Sequence, residues 1–133
     1  MMRYLATYFT MALVMIALDI VWIGFIAKQL YQNGIGHLMA DKPNLLAAAA
    51  FYLVFCGGLL WFAIIPSVLK PAMSSAIISA AIFGFCAYAT YDLSNLSTLK
   101  AWPVSLALID MAWGTLASVV AVAMGKTVFD KLG

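Results

Sequence analysis

A chain of 133 residues that is 66% hydrophobic and 9% charged cannot wet the surface of a soluble globule, since such a globule carries charge on roughly a quarter of its residues. Seven basic and five acidic residues leave a net charge of +2, too small and too dispersed for a nucleic-acid partner. Lipid is the remaining solvent, and membrane lipid the first expected partner.

Four stretches are long enough for a hydrocarbon core of about 30 Å, which takes around 20 helical residues. The first, residues 4–27, follows Arg3 and stops at Lys28. It outruns the apolar part of a signal peptide, about 7–15 residues, and offers no convincing small-residue cleavage site, so it reads as a retained span. A loop over residues 28–44 holds Gly34, Gly36 and His37, and is expected to lie on the membrane surface. The second span, 45–65, is uncharged and ends at Pro66; a tight turn to Pro71 leads into the third, 72–91. The fourth, 102–124, opens at Trp102 and Pro103, where proline suits a first helical turn, and ends before Lys126. Long alternating strands, which a closed barrel needs, are absent. The expectation is an all-α integral membrane four-helix bundle, residues 1–133 forming one transmembrane domain, with both termini on the same side.

Arg3, Lys70, Lys126 and Lys131 fall on the terminal side, against Lys28, Lys42 and Lys100 on the other. Basic residues favour the cytoplasm, which puts the termini there by a narrow margin. Cys56 and Cys86 sit inside apolar runs and read as small core residues, not as a disulfide or redox pair. No cysteine–histidine ligand set marks a metal site, and nothing in the sequence names a cofactor.

Ionisable residues inside spans are costly, which makes each a functional candidate. Asp19 lies nine residues before Lys28 and Asp110 eight after Trp102, roughly 13 and 12 Å from helix ends on the same side of the membrane. Asp92 closes the third span on that side. In the third span, Ala76, Ala80, Gly84, Tyr88 and Asp92 recur every four residues and share a stripe. The small ones allow close helix packing, which then opens at Tyr88. Asp110, Gly114, Ala117 and Ala121 do the same in the fourth. A cavity is expected in the half-membrane away from the termini, lined by Asp19, Tyr88, Asp92 and Asp110.

Trp22 and Trp113 each follow an aspartate by three residues, one turn along the same face. Packing or interfacial anchoring would also account for them, and Trp102, at a helix start, reads as an anchor. Asn95 and Thr98 are either a polar helix end or, with Lys100 as counter-charge, the cavity's mouth. His37 reads as a surface histidine. The candidate ligand-binding set is therefore Asp19, Trp22, Tyr88, Asp92, Asn95, Thr98, Asp110 and Trp113.

Clustered carboxyl groups titrate as one coupled set. They can bind a cation, relay protons or serve as acid and base. Three readings stay open: binding or transport of a cation or protonated solute, in a homo-oligomer because four helices enclose little volume; an enzyme acting on a lipid or isoprenoid-like substrate; and an accessory subunit whose polar residues lock helices together. No nucleophile elbow, zinc-protease or phosphate-loop motif occurs.

The stretch Tyr88-Ala89-Thr90-Tyr91-Asp92-Leu93-Ser94-Asn95-Leu96-Ser97-Thr98-Leu99-Lys100-Ala101-Trp102-Pro103, with Asp110, Trp113 and Gly114 after it, resembles a bacterial membrane family catalogued as domain of unknown function 2177. Asp19, Trp22 and Gly24, then Phe51, Tyr52 and Pro66, fit the same pattern, so the resemblance covers nearly the whole chain. It implies a multi-pass protein of the bacterial inner membrane with four spans, and no particular activity.

Overall fold

The computed structural model describes residues 1–133. In lipid, backbone polar groups must be satisfied within their own segment, and this chain does so with helices and no strand. Helix α1 (Met2–Val21) continues through a π-helical turn, Trp22–Ile26. Helix α2 (Lys28–Ile35) is short. Helix α3 (Leu45–Leu59) runs on through a second π turn, Leu60–Ile64, and a 3-10 turn, Ile65–Val68. Helices α4 (Met73–Thr98) and α5 (Val104–Lys131) complete the chain. Met2–Ile26, Leu45–Val68, Met73–Thr98 and Val104–Lys131 are each long and apolar enough to cross a membrane.

Only 29 of the 133 residues are buried within the chain, and Phe9, Leu13, Phe25, Trp61 and Phe62 point outward. Such a surface suits lipid contact, because lipid tails are as apolar as these side chains. What holds the helices together is then close packing, and α5 is its centre: α4 lies along it over the greatest length, and α1 next. Ala76, Ala80 and Gly84 are buried along α4, and Gly114, Ala117 and Ala121 along α5. A side chain on Gly84 would run into Ser118 and the Gly114 backbone, and one on Gly114 into the ring of Tyr88. The stripe of small residues does bring the two helices together, and Tyr88 marks where they begin to part.

Both chain ends meet at one end of the bundle. The Arg3 guanidinium lies 4.4 Å over the Phe129 ring and beside Gly133, while Tyr4 packs edge-on against Phe129 at 5.1 Å. Close by, the buried Lys126 Nζ donates to both Asp130 carboxylate oxygens at 2.7 and 2.9 Å. At the other end, α3 meets α4 chiefly through the π turn Leu60–Ile64, so its first half stands away from α4.

Several sequence expectations are corrected. The helix of the third span runs past residue 91 to Thr98, carrying Asp92 inside it. Pro103 is not in the first turn of α5 but caps it in extended conformation, since Val104 is the first helical residue. Residues 28–44 are not all surface loop, because α2 folds back against α5. Its Leu30, Tyr31 and Ile35 pack on Trp102, Leu106 and Ala107, and Gly34 lets α2 approach Pro103. Cys56 is buried, but Cys86 faces outward and is no core residue.

Candidate functional site

The half of the bundle away from the termini contains a partly open cavity of about 450 Å³. α1 contributes Asp19, and the π turn after it Trp22 and Ile23. Such turns insert an extra residue per coil and re-aim side chains, often at functional sites. From α2 come Tyr31 and Ile35; from the start of α3, Ala48, Phe51, Tyr52 and Phe55. The upper part of α4 adds Ala87, Tyr88, Tyr91 and Asp92, and the α5 end adds Trp102, Leu106, Asp110 and Trp113. Nine of the seventeen are aromatic, three are aspartates, and none is basic, which disfavours an anionic ligand.

Two of the aspartates are held in a cross-helix network. Asp19 accepts from the Tyr52 hydroxyl at 2.6 Å and from Trp113 Nε1 at 3.0 Å. Asp110 accepts from the Tyr31 hydroxyl, which in turn accepts from Trp22 Nε1 at 3.2 Å. Each carboxylate is thereby tied to the tryptophan of the opposite helix, directly for Asp19 and through Tyr31 for Asp110. The two indoles stack, with centroids 4.4 Å apart and planes within 2°. These bonds from neutral donors fix the position of both carboxyl groups and meet part of their hydrogen-bonding capacity. Tyr31 lies outside the spans, and its phenol is pushed above the usual tyrosine value by burial and then by its bond to Asp110.

Asp92 is different. It is fully buried and its nearest polar neighbour is the Asp110 carboxyl group, while no hydroxyl, amide or indole donor reaches either of its carboxyl oxygens. The Trp102 Nε1 is likewise buried and unpaired on the same cavity wall. An acceptor and a donor are thus buried without donor or acceptor partners behind the lining of one hollow, a state that is rare and costly for polar groups. No three acidic, histidine or cysteine side chains are placed to hold a metal ion.

Of the eight residues singled out from sequence, Asp19, Trp22, Tyr88, Asp92, Asp110 and Trp113 line this cavity. Asn95 and Thr98 do not: Asn95 is half-buried beyond the lining, and the Thr98 hydroxyl turns back to the Ser94 carbonyl at 2.9 Å on an exposed face. The continued helix rotates Thr98 away from the wall that Asp92 occupies. Lys100 forms no ion pair and is exposed, so it supplies no counter-charge. Trp102 is not an outward anchor but is 8% exposed, edge-on to Tyr91 at 5.9 Å. It is aimed inward by a turn in which Ala101 adopts a left-handed φ of 58°.

Sequence reasoning missed Tyr31 as a site residue, and had Tyr52 only as part of a family pattern. The signal for Tyr31 was local: Leu30, Tyr31 and Ile35 form one apolar face within a polar segment. A family model described as "Predicted membrane protein (DUF2177)" matches residues 4–127. No curated protein and no solved structure matches the chain.

Proposed function

The chain belongs to the DUF2177 family of predicted membrane proteins, and on that premise we propose that its cavity binds an organic ammonium ion, protonated or quaternary, and exchanges it for a proton. The observation that carries this reading is Asp92, a fully buried carboxyl group in the wall of an aromatic chamber that no hydroxyl, amide or indole donor reaches. An ionised carboxylate there cannot remain unaccompanied, so it either carries a proton or faces a cation.

The walls favour an organic cation over a metal. Aromatic faces attract cations by about 0.5–2 kcal/mol each, most where water is excluded. A hard metal ion asks for six or more oxygens, whereas Asp19 and Asp110 already accept from tyrosine and tryptophan donors. Trp102 Nε1 can donate to an oxygen on the same ligand. On the terminal side of the chamber, α4 and α5 pack closely at Gly84 and Gly114. Passage across the bilayer therefore calls for rearrangement between copies of the chain, in keeping with a homo-oligomer.

Calorimetric titration of the protein in phosphatidylcholine nanodiscs with tetramethylammonium tests the reading. Wild type binds and releases protons in proportion. Asp92→Asn keeps the shape, removes the charge and weakens binding at least about tenfold, or ~1.4 kcal/mol. Equal binding by Asp92→Asn, or none by wild type, overturns the proposal.

A further inference from the structure

Beside the chamber, where the first half of α3 stands away from α4, lies a second hollow of about 480 Å³ lined only by apolar side chains. Phe51, Phe55 and Ala87 line both hollows, so the two adjoin across these side chains. Ala50 and Val54 form the outer lip, and Val54 is 77% exposed, so the groove opens sideways to lipid. Its floor is Phe83, whose ring can lie against α3 because Gly58 has no side chain, and which packs on Phe55 and Phe62.

Resting on the cation reading above, we propose that the ligand is a single-chain amphiphile, with its ammonium head among the aspartates and its hydrocarbon chain in the groove between α3 and α4. Two observations select this occupant. The chamber offers three carboxyl groups and aromatic faces to a head, while the adjoining groove is lined by apolar side chains alone. Direction agrees as well. Nine residues separate Phe83 from Asp92, about 13 Å of helix. Asp92 lies toward the helix end at Thr98, and Phe83 near the middle of α4. A molecule placed this way has its head toward the interface and its tail toward the bilayer centre, the orientation of its neighbours in that leaflet. It can slide in sideways without turning over or crossing water. Because lipid tails solvate a chain as well as the groove does, the groove supplies alignment and selectivity, and the chamber supplies the affinity.

The test uses dodecyltrimethylammonium bearing a photoreactive diazirine on its terminal carbon, with the full chain in phosphatidylcholine vesicles. After illumination, mass spectrometry should place the label around Val54 and Phe83, and excess tetramethylammonium should compete it away. Ala50→Trp, at an exposed position outside the chamber, should fill the groove and cut labelling about tenfold while tetramethylammonium affinity stays within about twofold. Label scattered over the outer faces of α1 and α5, label unchanged by Ala50→Trp, or cross-links between two copies through the groove would each overturn the tail path and leave the cation reading standing. Failure of wild type to bind tetramethylammonium would overturn both.

Discussion

From mid-bundle toward the end that holds the termini, packing is close: Gly84 lies against Ser118 and the Gly114 carbonyl, and Gly125 against the Met11 side chain. The one buried cation there, Lys126, has its acid one turn away in Asp130. At the opposite end the helices part around aromatic rings, and three aspartates gather with no basic residue among them. Both ends bury polar groups, and Thr7 Oγ1 at the near end has no partner either, but only at the far end do the unpartnered groups, on Asp92 and Trp102, belong to residues that line a cavity. Tight packing serves stability, whereas an open chamber with unmet hydrogen-bonding capacity is a place for something else to bind.

The largest expected effect probes the tight contact of α4 with α5. Gly84→Leu forces a side chain into Ser118 and the α5 backbone, with an expected loss of about 3 kcal/mol, the upper part of the overpacking range. Ala48→Leu, on the chamber wall, should cost markedly less by the same unfolding measurement in mixed micelles. Equal losses would break the contrast between the two ends.

Next come the aspartates themselves. Asp19→Leu strands the Tyr52 hydroxyl and Trp113 Nε1 and should cost about 2 kcal/mol. Asp92→Leu strands nothing and removes an unsatisfied buried group, so stability should rise by about 1 kcal/mol. Opposite signs in one unfolding series would sharpen the division between positioning carboxylates and the free one; the same sign for both would erase it.

A smaller effect is expected in the turn that aims Trp102. Ala101 sits in the left-handed region, where a side chain costs about 1 kcal/mol. Ala101→Gly should recover most of that, while ammonium binding weakens if the strain helps hold Trp102 in place.

The smallest concerns Tyr31, whose phenol is held above its ordinary value of 10.0 by burial and by Asp110. Above pH 10 the unfolded chain releases a proton that the folded one retains, so this contribution is whole below pH 10 and declines as the pH rises further. Tyr31→Phe should flatten that alkaline decline in a stability–pH curve. An unchanged slope would detach Tyr31 from the chamber network.

Much of this was legible without coordinates. Hydrophobic runs set the four crossings, because every span must satisfy its own backbone in lipid and so reveals itself by length alone. The depths of Asp19 and Asp110 followed from the fixed rise of a helix, and the four-residue spacing from Ala76 to Gly84 marked a tightly packing face of α4 without naming its partner. These are properties of one helix at a time.

What needed the tertiary structure was every feature that depends on how one helix is turned toward another. Asn95 and Thr98 fit a helix end as well as a cavity mouth, and only the rotation of α4 turned Thr98 outward. Trp102 had the look of an interfacial anchor until a left-handed Ala101 sent it inward. Tyr31, 79 residues from Asp110 in the chain, reached it only because α2 folded back. Which aspartate finds donors and which is left without them depends on side chains from four different helices, and no pattern local to one stretch of sequence contains that information.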